Sequence, residues 1–296
     1  MAALSHETIR SNGLKLHVVQ AGPADGPLAL LLHGFPEGWW GMRRQIDPLV
    51  AAGYRVMVPD QRGYGSSARP TAVRDYRLDA LTTDMIGLID AAGRDKAFVV
   101  GHDWGAAVAW WMAVLHPDRL EKLVAMNVPH PVVMRRTLRT SRTQLTRSWY
   151  ALAFQIPFLA DTGIAHTHIL EDLIRRSARS GTFSEEDFAI YRDGWSQPGA
   201  LTAMIAWYRA AFRHPPRPPD SERVRVPTHL VWGAKDNFVG VEMAEPSLAL
   251  CDSGRLTLFP EATHWVHHEE AEAIGKLIVE FFGARPSDEV SVRASS

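Results

Sequence analysis

A single pentapeptide constrains this chain more than any other. Gly101-His102-Asp103-Trp104-Gly105 stands between the β-branched run Ala97–Val100 and the nearly all-apolar stretch Ala106–His116. Small residues two before and two after a central side chain let a strand turn sharply into a helix without Cβ clashes, which puts Asp103 at the tip of the bend. Short aliphatic runs at Leu14–Ala21, Leu28–Leu32, Arg55–Pro59 and Leu123–Val128 repeat the theme, each followed by turn residues and most by a helical stretch. Asp79–Ala92, for example, spaces Leu81, Met85, Leu88 and Ile89 at a helical period. Strand and helix in alternation predict parallel pairing, because parallel neighbours need a crossover between them.

From Pro131 to about Val226 the pattern changes. Strand runs vanish, helical periodicity dominates, and breakers stand at Pro157, Gly163, Gly181, Pro198 and the Pro-rich His214–Pro219. Strand runs return at Thr228–Trp232 and Leu256–Phe259, Glu269–Phe282 reads as a closing amphipathic helix, and the polar residues Ala284–Ser296 are expected to fray. The sequence therefore predicts an α/β fold, a mostly parallel sheet flanked by helices, with an inserted all-helical cap. Residues 1–130 and 227–296 would form the core domain and 131–226 the cap.

With 296 residues the chain can bury a substantial core. Its 32 Lys and Arg against 33 Asp and Glu leave a net charge of −1, so no overall basic field exists to hold nucleic acid. The single cysteine, Cys251, cannot form an internal disulfide and lacks the companions of a zinc site, which fits a reducing compartment. Met1–Arg10 lacks the apolar run of a secretory signal, and no stretch of about 18 apolar residues follows. A cytoplasmic protein without membrane insertion is expected. The insertion alone carries +5 and the remainder −6. Arg135, Arg136, Arg139, Arg142 and Arg147 fall in one helical stretch whose other face offers Met134, Leu138, Leu145, Trp149 and Leu152, read as a solvated or core-contacting face, with a lipid- or anion-binding helix as the alternative.

Aspartate ahead of a helix often does no more than cap it. Two further elements favour chemistry at Asp103. His33-Gly34-Phe35-Pro36 directly follows a strand run, and its glycine turn can aim the Phe35 N–H beside the elbow, where with the Trp104 N–H it would form an oxyanion hole; His33 itself is assigned to holding the loop. An acid and a base then follow in chain order. Asp236 comes after the run Thr228–Trp232 and His264 after Leu256–Phe259, both at carboxyl ends of strands, where an open α/β sheet places its site. An imidazole with pKa near 6.5 is neutral enough at pH 7 to take a proton from water while a carboxylate fixes its tautomer. His267 and His268 are read as surface or capping residues. The other place for the acid, just after Leu123–Val128, offers only Asn127-Val128-Pro129.

His33-Gly34-Phe35-Pro36, the turn Asp60 to Ser67, Gly101 to Gly105 and Thr263-His264-Trp265 together resemble the α/β-hydrolase superfamily in its branch with an aspartate nucleophile, and within it the soluble epoxide hydrolases. The likeness runs from about Leu14 to Phe282. It implies the α/β-hydrolase fold and two cap tyrosines over the nucleophile, for which Tyr150, in Trp149-Tyr150-Ala151-Leu152, and Tyr208, in Ala206-Trp207-Tyr208-Arg209, fit. In the implied reaction Asp103 attacks an epoxide carbon while the two phenols donate to the ring oxygen. Water activated by His264 and Asp236 then cleaves the alkyl ester to a vicinal diol. Phe35, Trp104, Val128, Phe154 and Trp265 are candidate apolar walls for the substrate. The implied partners are an epoxide and water, with no metal or organic cofactor; a homodimer stays open. Three other readings compete: a haloalkane or haloacid dehalogenase using the same aspartate, a noncatalytic binding protein on this fold, and a serine esterase. The first is disfavoured by Phe35 and Trp104, which stand where those branches resemble Asn and Arg; the last lacks its serine.

Overall fold

Eight strands form one sheet in the order β1-β2-β4-β3-β5-β6-β7-β8. The strands are β1 Ser5–Ser11, β2 Leu14–Ala21, β3 Leu28–Leu32, β4 Arg55–Pro59, β5 Ala97–His102, β6 Leu120–Met126, β7 Thr228–Gly233 and β8 Gly254–Phe259. This computed structural model describes residues 2–156, 168–216 and 219–283. The breakers Pro157 and Gly163 and the tail Ala284–Ser296 lie outside the described residues. From β4 to β8 all pairs are parallel, whereas at one edge β2 runs antiparallel to both of its neighbours, β4 and β1.

Helices cover both faces, so the central strands are continuous aliphatic runs rather than alternating ones. All of β3 is buried. Leu30 and Leu32 pack with Ala125, Leu230 and the apolar side of α2 (Leu78–Ala91) and α3 (Trp104–Leu115). Ala29 and Leu31, one residue out of phase, face the opposite way with Val124 and Val231, against α1 (Arg43–Ala51) and the last helix. That last helix departs from the single Glu269–Phe282 element expected: it is a short turn, Val266–Glu269, then Ala271–Phe282, interrupted at Glu270. The sequence also gave no sign of β1, a mostly exposed polar strand whose place is set by its ladder to β2.

Between β6 and β7 the described chain is helical: α4 (Pro131–Thr140), α5 (Arg142–Arg147), α6 (Trp149–Ala153), α7 (His168–Ser177), α8 (Glu185–Ser196) and α9 (Ala200–Arg213). The arginine-rich stretch is thus three short helices, not one. Serine causes one of the breaks: Ser141 accepts from the Gln144 N–H at 3.2 Å and starts a new helix. Consequently Leu145, Trp149 and Leu152 are exposed, while Met134 and Leu138 are only partly so. Arg136 pairs with Glu222 at 2.5 Å and Arg147 with Glu242 at 3.8 Å. Among the described residues no helix is long and apolar enough to cross a membrane.

Candidate active site

Asp103 occupies the bend between β5 and α3 with φ 50° and ψ −124°, a conformation non-glycine residues rarely adopt. Its neighbours explain why the bend closes. A Cβ on Gly101 would lie 2.5 Å from the Gly105 carbonyl, and one on Gly105 would lie 2.1 Å from the carbonyl of Leu32. The Asp103 carboxylate does not cap its own helix. Instead Oδ1 accepts the Phe35 N–H at 2.7 Å, which the His33–Pro36 turn delivers because Gly34 passes so near that a Cβ there would be 2.3 Å from the Asp103 Cβ. His33 holds this turn: its Nδ1–H donates to the Gly34 carbonyl and its Nε2 accepts the Gln61 N–H, each at 3.1 Å. Trp104, the first residue of α3, has no intrahelical acceptor for its own N–H.

His264 and Asp236 converge on this carboxylate from the loops after β8 and β7. The His264 Nε2 is 3.5 Å from Asp103 Oδ2, and its Nδ1 donates to Asp236 Oδ2 at 2.8 Å. Asp236 is fixed in turn by the N–H groups of Phe238 (2.7 Å) and Val239 (3.0 Å) on Oδ1. Burial of His264 works against a charged ring, yet the Asp236 and Asp103 carboxylates outweigh it and push the imidazole up to about 10. The two carboxylates thus favour the protonated ring, whereas the sequence alone suggested an imidazole near its ordinary value. Burial likewise works to raise Asp103, but His264, His102 and the Phe35 N–H hold it below the usual aspartate range.

Tyr208 and Tyr150 come from α9 and α6, with ring centroids 5.9 Å apart. Tyr208 packs edge-on against Phe35 (5.3 Å), Trp104 (5.1 Å) and Phe154 (4.9 Å). Burial, with the Asp103 charge adding to it, raises both phenols above the ordinary tyrosine range, so both stay protonated. Of the five candidate walls, Phe35, Trp104 and Phe154 join this aromatic group and Val128 is buried in the same apolar cluster. Trp265 does not join it: the ring is buried against His264 and Phe183, and its indole N–H donates to Ser177 Oγ at 2.9 Å. Phe238, unnoticed in the sequence, fills the space between Tyr150 (5.8 Å) and His264 (5.2 Å).

His267 and His268 are not surface residues. Both are fully enclosed around Glu37, whose Oε1 accepts from Tyr191 Oη at 2.5 Å and His268 Nε2 at 2.7 Å, and whose Oε2 accepts from His267 Nε2 at 3.2 Å. Burial opposes a charged carboxylate here, yet these neighbours hold Glu37 well below the usual range. His102 connects the cluster to the site, with Nδ1 3.7 Å from Glu37 Oε2 and Nε2–H donating to the His264 carbonyl at 2.8 Å. Among the described residues Glu37, His267 and His268 are the one set whose ligand atoms could converge on a metal ion, but hydrogen bonds already engage all three. Asn127, passed over because it is not an acid, donates from Nδ2 to Asp236 Oδ2 at 2.8 Å. In the turn from Asp60 to Ser67, read from the sequence as structural, Asp60 accepts the Trp39 N–H at 2.8 Å and pairs with His17 at 2.7 Å.

Comparison with known proteins agrees with this geometry. The sequence model of the alpha/beta hydrolase fold family matches residues 27–271. AB hydrolase superfamily protein YfhM of Bacillus subtilis is 42% identical over 95% of this chain and 99% of its own length. Human epoxide hydrolase 4 is 37% identical over 92% of this chain and 77% of its own. Among solved structures, the Bacillus megaterium epoxide hydrolase in complex with an inhibitor superposes with a TM-score of 0.86 at 28% identity, covering 93% of this chain and 99% of that one. A strand-to-helix elbow with an aspartate at its tip, and similarity that spans nearly the whole chain, lead to one assignment: the chain belongs to the α/β-hydrolase fold family, among its epoxide hydrolases.

Proposed function

We propose that this protein hydrolyses epoxides to vicinal diols through a covalent ester on Asp103. The observation that carries the reading is the orientation of the Asp103 carboxylate, turned from its own helix onto the Phe35 N–H, with the His264–Asp236 pair behind it. Asp103 forms a bond to an epoxide carbon as the C–O bond of the ring breaks, and a Tyr150 or Tyr208 hydroxyl gives its proton to the released oxygen. Esterification removes the Asp103 charge, so one of the two anions sustaining the imidazolium is lost, the hold of His264 on its proton weakens, and that proton passes through solvent to the phenolate left by ring opening. The ring can then act as base toward water. Water gives a proton to His264 as it attacks the ester carbonyl, the Phe35 and Trp104 N–H groups meet the developing oxyanion, and collapse breaks the acyl C–O bond, the carboxyl proton passing to the departing alkoxide so that the carboxylate is restored and the diol leaves. Residues 1–130 and 227–296 would act as the core domain and 131–226 as the cap that supplies the phenols.

His264→Gln leaves the nucleophile but removes the base, so incubation with styrene oxide should add the mass of one epoxide to the protein and release little diol. Asp103→Asn should neither gain mass nor turn over. A His264→Gln protein that gains no mass with any of a panel of terminal, internal and aryl epoxides refutes the ester. Release of bromide from 1-bromobutane in place of diol from styrene oxide would instead establish a dehalogenase.

A further inference from the structure

Asn127 follows β6 with φ 56° and is completely buried. Asparagine tolerates this left-handed backbone, which most side chains do not. Its carboxamide joins the two loops that carry the acid and the base. Oδ1 accepts the Gly233 N–H at 3.2 Å, while Nδ2 donates to Asp236 Oδ2 at 2.8 Å and to the carbonyl of Thr263, the residue before His264, at 3.3 Å. Only one orientation of the amide fits. Flipped, its oxygen would face a carboxylate and a carbonyl and its NH2 would face an N–H.

Asp236 Oδ2 therefore receives two donors, His264 Nδ1–H and Asn127 Nδ2–H. The second serves two ends: it prevents Asp236 from rotating away from the imidazole, and it draws charge from the oxygen that stabilises the imidazolium. We propose that Asn127 is a positioning residue for ester hydrolysis, holding Asp236 and the His264 loop in register and tempering the hold of that carboxylate on the imidazole proton. Ester formation needs only the Asp103 carboxylate and the phenols, so Asn127 acts on the second half-reaction. An aspartate at this position would behave differently at different pH. Protonated, it still donates to Asp236; ionised, it is a second anion beside it and strengthens the grip on the His264 proton.

The inference rests on the ester mechanism above, and two variants keep the two separable. Asn127→Gly keeps the backbone conformation and removes the carboxamide; Asn127→Asp keeps both the backbone and the acceptor for Gly233. Ester formation and ester hydrolysis are measured separately by rapid mixing with styrene oxide and quenching for intact-protein mass. In Asn127→Gly, formation should stay within about threefold of wild type while hydrolysis slows about ten- to hundredfold, the loss of one hydrogen bond to a charged group, so that ester accumulates. In Asn127→Asp the deficit in hydrolysis should widen at least about fivefold between about pH 6 and about pH 9 as the added carboxyl ionises. A purely structural residue would slow both half-reactions together at all pH values. Hydrolysis at the wild-type rate in Asn127→Gly, or a deficit in Asn127→Asp that does not change with pH, overturns the role of Asn127. Failure of the His264→Gln protein to form ester overturns the mechanism itself.

Discussion

His264 lies between two carboxylates, and removing one of them should be visible directly on the imidazole. Asp236 is 2.8 Å from Nδ1 and Asp103 is 3.5 Å from Nε2, and the pair pushes the ring up to about 10. An opposite charge at such distance is worth about 1 to 3 pH units, so Asp103→Asn, which keeps the shape and discards the charge, should bring the His264 titration down by that amount. Long-range proton–nitrogen NMR of the imidazole against pH reads it, with His264→Gln identifying the signal. The same variant should change alkaline stability. A value raised in the folded state stabilises the fold fully below about 6.5, the unfolded value, and this stabilisation drains as pH rises toward about 10. Asp103→Asn should thus lose less stability than wild type between neutral and alkaline pH. A wild-type His264 that titrates near 6.5, or one unmoved by Asp103→Asn, would refute the account of how the resting imidazolium becomes a base after esterification.

Three further outcomes follow from the geometry. Tyr150→Phe combined with Tyr208→Phe should slow ester formation about 10²- to 10⁴-fold with little change in thermal midpoint, measured by the same mass assay; undiminished formation would remove the phenols as proton donors. Gly34→Ala forces a Cβ to within 2.3 Å of the Asp103 Cβ and 2.7 Å of its Oδ1, so the Phe35 N–H must move and diol production should fall about 100-fold or more. Glu37→Gln places an amide N–H against one of three buried donors and should lower unfolding free energy by about 1–3 kcal/mol, read from the urea midpoint; an unchanged midpoint would show that the cluster does not depend on its charge.

The central strands were legible because they are buried on both faces, and Leu28–Leu32 begins and ends where its aliphatic residues do. Ser5–Ser11 was not, since an exposed edge strand has no apolar signature. Asp103, Asp236 and His264 each follow a strand run closely, so the loops that carry them could be identified before the geometry was known. Tyr150 and Tyr208 rested on resemblance alone, because an apolar helix carries tyrosines for packing as readily as for chemistry. Glu37, His267 and His268 were misjudged or unnoticed for one reason. Burial there is created by contacts between residues 154 to 231 positions apart, and no local pattern records it. The upward shift of His264 was hidden in the same way, as it depends on two carboxylates meeting one ring.

Strands β6 and β7 are immediate neighbours, Leu123 opposite Thr228, although about one hundred residues leave the sheet and return between them. The exit and re-entry points of that excursion are therefore side by side, and a different excursion of any length could be grafted onto the same two anchors without disturbing the ladder. In the proposed mechanism the nucleophile and the groups that clear the ester stay behind on the strand ends, whereas both phenols travel with the graft. A transplant would thus change which leaving atom receives a proton and preserve the hydrolytic apparatus, provided the newcomer supplies a hydroxyl to meet Glu37 where Tyr191 now does.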